Sequence, residues 1–420
     1  MKVLYTSPVL EHPAAGGPQL RVENSIKALS AACELHLLSR APALPAERER
    51  TADFFRRYCR TFALAPRLEQ EARGNRLTRK VGRLVRRVLD QDAREDADLV
   101  LELVDRHGIE LVWFGYGNIS YRLMRRIKRL RPRLPLVCDT DSVWSRFVLR
   151  ELPFARGWRR LRIASSGRGK EREEKAWVNL CDVTTAVSEV DAAYYRGLAS
   201  EPRRVQLFPN VIDVDTYAVR PARPPGFRNP SIYLAGTFGH FHSPMDAAAR
   251  WVLERVFPIL LKAHPALHFY LVGNNSEKGF GHLNGPNITA TGRLDSVLPY
   301  LCHADVALVP LQYESGTRFK ILEAGACGIP LVSTTLGAEG LPVVDGRHLL
   351  IADEPEQFAG AVLRLLADKP LAQGLARNCS QLVREQFSVQ TLARDAGRIL
   401  ANVGRRRPAT GESEHAWSTR

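Results

Sequence analysis

From Tyr313 to Ser333 the chain reads Tyr-Glu-Ser-Gly-Thr-Arg-Phe-Lys-Ile-Leu-Glu-Ala-Gly-Ala-Cys-Gly-Ile-Pro-Leu-Val-Ser, residue types that suit the capture of an anion. Gly316 lets the backbone approach a ligand closely, and Thr317 is a good helix N-cap. The helix-compatible run continues to Cys327 and Gly328 stops it. Free N–H groups at a helix start favour phosphate, and Arg318 and Lys320 add positive charge in the same turn. Glu323, further along the helix, supplies a carboxylate able to grip a sugar diol. Together these groups suit a nucleotide sugar. An ordinary strand-to-helix unit of some other open sheet is the plainer alternative.

Other candidate groups follow the same logic. Gly16-Gly17-Pro18 comes after a first short strand and opens a helix expected over residues 19–32; paired glycines there allow close backbone approach, or make a simple tight turn. Gly236 and Thr237 begin a second loop of this kind, which also carries His240 and His242; no carboxylate or third histidine stands at ligand spacing, so no metal is expected. Asp139 and Asp141 close a strand at 136–139. Asp141 either accepts a sugar hydroxyl and stabilises a cationic centre, or caps a helix starting at Ser142. Ser188 reads as the cap of a further helix.

These groups need elements to hold them, and the pattern supplies them. Short apolar runs at 3–6, 35–39, 111–114, 136–139, 183–186 and 205–208 alternate with helical stretches. A second series lies at 231–235, 268–272, 288–290, 305–310, 331–333 and 349–352. No Asn-Gly or Asp-Gly hairpin signal joins neighbours, so both sheets are expected to be parallel with helical crossovers. The Pro-rich stretch Arg220-Pro221-Ala222-Arg223-Pro224-Pro225-Gly226 fits neither sheet. The fold class is therefore α/β, with a domain over 1–218, a linker over 219–229, a second domain over 230–400 and a disordered tail over 401–420.

Composition sets limits. The chain has 420 residues, 45% hydrophobic and 25% charged, which is enough for two domains with real cores. No run approaches the ~18 apolar residues needed to span a bilayer, and the first residues read as a strand and not a signal, so a cytoplasmic location is expected. The seven cysteines lack Cys-x-x-Cys spacing, arguing against zinc or a disulfide framework. A net charge of +15 calls for an anionic partner. Residues 76–89 form an amphipathic basic helix on paper with six cations, and 125–131 adds five more in the same domain. They would suit the inner face of an anionic membrane, or simply a docked surface helix. No helix-turn-helix, zinc or RNA-binding signature accompanies the charge, so nucleic acid is not expected.

The 313–333 segment resembles the signature of the family-four retaining glycosyltransferases of GT-B fold (glycosyl transferases group 1), a Glu-x7-Glu stretch followed by Ala-x-Ala-x-Gly-x-Pro-Val-Val. Glu323, Ala324, Ala326, Gly328 and Pro330 carry the match. Eight places before Glu323 stands Ser315, with Glu314 beside it, so both are candidates for the position that supports the donor sugar ring. The resemblance implies two Rossmann-like domains facing a cleft, with Gly16 and Gly17 near the donor phosphate or acceptor. It puts Arg293 and Leu294, ahead of a helix expected over 295–303, beside the nucleobase, and Asp141 where relatives commonly carry a histidine near the transferred sugar. Relatives carry an Arg and a Lys where this chain has Thr237 and Ser243, so Arg318 and Lys320 are expected to take over the diphosphate. The implied activity is retaining, metal-independent transfer of a sugar, without a cofactor, from a nucleotide-diphosphate donor to a glycan or lipid-linked acceptor in polysaccharide or glycolipid synthesis. A nucleotide-sugar epimerase on the same fold, or a non-catalytic polyanion-binding scaffold, are the alternatives.

Overall fold

In this computed structural model residues 1–14, 16–41, 45–65, 91–239, 243–313 and 319–405 are described. Glu314, Ser315, Gly316, Thr317 and Arg318, the loop histidines His240 and His242, and the basic segment 76–89 lie outside them.

The first sheet runs β1 (Lys2–Ser7), β2 (Glu34–Ser39), β3 (Thr61–Leu64), β4 (Leu111–Gly115), β5 (Leu136–Asp139), β6 (Val183–Ala186) and β7 (Val205–Leu207). In space the order is β3-β2-β1-β4-β5-β6-β7, and every pairing is parallel. The second sheet comprises β8 (Ser231–Ala235), β9 (His268–Val272), β10 (Ile288–Ala290), β11 (Val306–Val309), β12 (Leu331–Ser333) and β13 (Leu350–Ile351). Its order is β10-β9-β8-β11-β12-β13, again parallel throughout. Both sheets are doubly wound, with the order reversing beside β1 and beside β8. Ligands of such sheets bind outside the carboxyl ends of the strands at that reversal, because the flanking loops diverge there and leave a crevice.

The expected strands appear within a residue or two of their sequence positions. β3 was not expected, being a four-residue edge strand without a fully buried residue. Residues 219–230 contain neither helix nor strand, but Ile212 already lies in the second-domain core with Val214 and Tyr217 packed against it, so the chain crosses between the domains near residue 211.

The far end of the domain division also needs correction. Helix Val389–Arg405 buries Leu392, Ala396, Ile399, Leu400 and Val403 in the same core as Val3, Val22, Ile26 and Trp113. The last helix thus returns to the first domain, and it carries regular structure through Arg405, into the expected tail.

Candidate functional site

A cleft of about 850 Å³ opens between the domains, and the loops leaving the carboxyl ends of both sheets line it. Gly16 and Gly17 follow β1, Asp141 follows β5, Gly236 and Thr237 follow β8, Arg293 and Leu294 follow β10, and Lys320 and Glu323 come from the helix after β11. The topology brings together here every candidate residue that the structure describes. A side chain at Gly17 would lie 3.3 Å from the Phe319 ring, so the missing Cβ lets the domains approach. Gly273 has φ +123, and a Cβ there would come to 2.2 Å of the Gly236 carbonyl oxygen. Glycine is required at that floor.

Helix Phe319–Ala326 is short and docks through Ile321, Leu322, Ala324, Gly325 and Ala326. Lys320 and Glu323 are three residues apart, hence neighbours on the opposite face. Gly328, with φ +67, takes the left-handed conformation that ends the segment. Tyr217, just ahead of the linker, donates its hydroxyl to Glu323 Oε1 at 2.8 Å. Burial raises the Glu323 carboxyl above its ordinary value, while the Tyr217 hydrogen bond and nearby Lys320 pull it down.

That shift has a sign that can be tested. A carboxyl raised in the folded state contributes stability below its unfolded pKa, and the contribution is lost as pH rises through the folded value. At neutral pH the Glu323 carboxyl is therefore a cost to the empty protein. Glu323→Gln, which keeps an acceptor for Tyr217, is expected to melt higher than wild type near pH 7, with the gain shrinking towards pH 4. Equal melting temperatures near pH 7 would refute this.

Asp141 does not cap a helix. Helix Trp144–Leu149 starts later, with Val143 at its N-cap. Instead the Asp141 carboxylate accepts from Asn118 Nδ2 at 2.7 Å, Trp144 Nε1 at 3.2 Å and Ser142 Oγ at 3.3 Å, and from the Tyr116 side chain. Burial raises its pKa against these bonds, which lower it. Tyr116 and Trp144 thereby become two walls of the cleft, their rings edge to face with centroids 6.4 Å apart. Tyr116 holds φ +62, a costly conformation for a bulky residue and one that gathers at functional sites. Asp139 has other partners. It is buried in an ion pair with Arg21 and accepts from Thr185 Oγ1 at 2.6 Å, so the Asp-Thr-Asp run does not act as a pair.

Other expectations shift. The helix expected over 295–303 is only Leu298–Leu301, which leaves Arg293 in an extended approach, 3.8 Å from Glu11 of the first domain. Glu339, following the short helix Thr335–Ala338, forms a bidentate pair with Arg150 at 2.7 and 2.8 Å across the domains. Ser188 caps its helix by accepting from the Asp191 amide at 3.1 Å. The 125–131 cations sit on a helix docked through Leu123, Met124 and Ile127, and two are paired: Lys128 with Asp182 at 2.7 Å and Arg131 with Asp105 at 2.9 Å. Sequence reading missed Tyr116, Asn118, Trp144 and Tyr217; Asn118 and Tyr217 reach their carboxylates across 23 and 106 residues, whereas Trp144 stands only three from Asp141.

Comparison with known proteins adds to this geometry. Residues 233–368 match the model of the family described as glycosyl transferases group 1. The chain is 30% identical over 164 residues to the glycogen synthase of Mycobacterium tuberculosis, covering 36% of this chain and 39% of that protein. It is 23% identical over 146 residues to an uncharacterized 44.6 kDa protein in the cps region of Klebsiella pneumoniae, covering 33% and 38%. The chain thus spans about two fifths of the length of these curated relatives. Sucrose-phosphate synthase from Thermosynechococcus elongatus superposes with a TM-score of 0.69 at 18% identity, over 96% of this chain and 99% of that one. Anabaena Alr3699/HepE in complex with UDP-glucose superposes with a TM-score of 0.59 at 15% identity, over 96% and 100%. At these identities the likeness is one of fold, and the fold is GT-B.

Proposed function

We propose that this GT-B chain, whose residues 233–368 belong to the glycosyl transferases group 1, is a retaining glycosyltransferase. It takes a nucleotide-diphosphate sugar as donor and an acceptor hydroxyl, on a glycan or a lipid-linked glycan, as the second substrate. The observation that carries this reading is the placement of Lys320 and Glu323 on one helix face in a cleft between two doubly wound sheets. Glu323, already oriented by Tyr217, receives the hydroxyls of the donor ribose. Lys320 faces the diphosphate, whose negative charge grows as the glycosidic bond breaks, with the 314–318 segment and Arg318 alongside in sequence. Gly236 and Thr237 lie against the donor, and Arg293 and Leu294 beside its base. On the first-domain side Asp141, Tyr116 and Trp144 face the transferred sugar and the acceptor.

UDP-glucose is the first donor to test, because a protein of similar fold has been crystallised with it. Wild type is expected to bind it in calorimetry and to release UDP slowly. Glu323→Ala should weaken binding by about 1–3 kcal/mol, the range for a lost charge-assisted hydrogen bond. Unchanged binding would remove Glu323 from the site, and a panel of nucleotide sugars without any binding would remove the reading. Since Lys320 and not a metal ion is assigned to the leaving group, chelator is expected to leave the rate intact. Loss restored by manganese would overturn that assignment.

A further inference from the structure

Helix Gly157–Leu180 docks on the first domain through Ile163, Gly167, Glu174, Trp177 and Val178. At 100° per residue, Ile163, Gly167, Glu174 and Val178 fall within one narrow stripe, and Trp158 and Leu161 fall on the opposite side. They are 71% and 75% exposed, the two most exposed large apolar side chains among the described residues. Scattered apolar residues on a surface are ordinary, but these two are one turn apart and share their setting. From residue 152 to residue 170 there are six cations and no Asp or Glu. Arg162 lies over the Trp158 ring at 5.3 Å, and exposed Arg168 and Arg172 continue along the outward side. Arg159 pairs with Glu151, and Arg160 donates to the Leu152 carbonyl oxygen.

We propose that this tip is a docking surface for an anionic lipid bilayer, with Trp158 and Leu161 entering the headgroup boundary and Arg162 and Arg168 resting on lipid phosphates. An amphipathic ring beside arginines is the composition that favours such a boundary. A second copy of the chain is the poorer occupant, because a two-fold contact would bring the same cations face to face. The tip stands outside the cleft, so this contact holds or fails independently of the proposed transfer reaction. It is nonetheless connected to the cleft: Lys170, about 18 Å along the helix, lies over the Trp144 ring at 5.6 Å. The bilayer contact is thus placed on a described helix, separate from the 76–89 segment.

The test is co-sedimentation of the full chain with vesicles of phosphatidylcholine alone or mixed with phosphatidylglycerol, at low and high salt. Wild type is expected to pellet with the acidic vesicles and to be released by salt. Trp158→Ser with Leu161→Ser should lower partitioning about tenfold or more, with melting temperature and donor binding unchanged. Arg162→Gln with Arg168→Gln should weaken binding and flatten its salt dependence. Three results would overturn the inference: wild type remaining in the supernatant, the Trp158/Leu161 variant partitioning like wild type, or that variant turning a dimer into a monomer without altering partitioning.

Discussion

Lys320→Ala is expected to lower kcat by about 10²-fold or more while changing the donor Kd by no more than several-fold. The asymmetry follows from where the charge appears. In the bound donor the diphosphate already carries its negative charge, but the oxygen that leaves the sugar gains more as the bond breaks. A positioned cation stabilises that increment, and removing one such group from a preorganised site typically costs 10²–10³-fold in turnover. The Thr237–Ser243 loop holds no Arg or Lys, so no cation stands ready there to compensate. Turnover with saturating donor, together with calorimetric Kd, separates the two effects. Wild-type turnover in the variant would sink the assignment. A Kd rising as much as kcat falls would make Lys320 a binding residue only.

Arg21→Ala should be the most damaging single change to stability, by about 3–5 kcal/mol. Arg21 is 2% exposed and ties together three parts of the first domain. It pairs with Asp139 at the end of β5, donates to Asn210 Oδ1 at 2.7 Å and donates to the Phe208 carbonyl oxygen at 3.1 Å. Removing the guanidinium strands the buried Asp139 carboxylate with Thr185 as its remaining described partner. Removing both charges should cost far less, so Arg21→Met with Asp139→Leu is expected to regain most of the loss. Calorimetric melting of the three proteins measures this. A single-variant cost below about 1 kcal/mol would mean that water reaches Asp139.

The strands were legible because parallel sheets covered on both faces read as continuous apolar runs, as in Leu111–Gly115 and Val306–Val309. Thr61–Leu64 sits half-exposed at an edge and lacks that signal. Lys320 and Glu323 were legible because the chemistry and the helix carrying it are contiguous. The partners that orient the carboxylates were not. Tyr217 is 106 positions from Glu323, and Asn118 is 23 from Asp141; only the topology brings them together. Cys302 and Cys327 make the same point, since cysteines that look scattered in sequence bring their sulfurs to 3.6 Å. Glu339 was obscure for a related reason, its partner Arg150 lying in the other domain.

The returning C-terminal helix also has a mechanical consequence. The chain leaves the first domain near Val211 and re-enters it near Val389, and the two passages run side by side: the Ile212 amide donates to the Phe387 carbonyl oxygen at 3.0 Å, and Ile212 bridges Ser388. A single strap would let the second domain swivel about any axis. Two adjacent straps behave like the knuckles of a door hinge, permitting one easy swing about the line through them and resisting torsion. The Arg150–Glu339 and Arg293–Glu11 pairs span the cleft as latches for that swing, and both are exposed enough to open at little cost. Cutting the second strap before residue 389 would free the torsion and expose the apolar face on which the last helix rests.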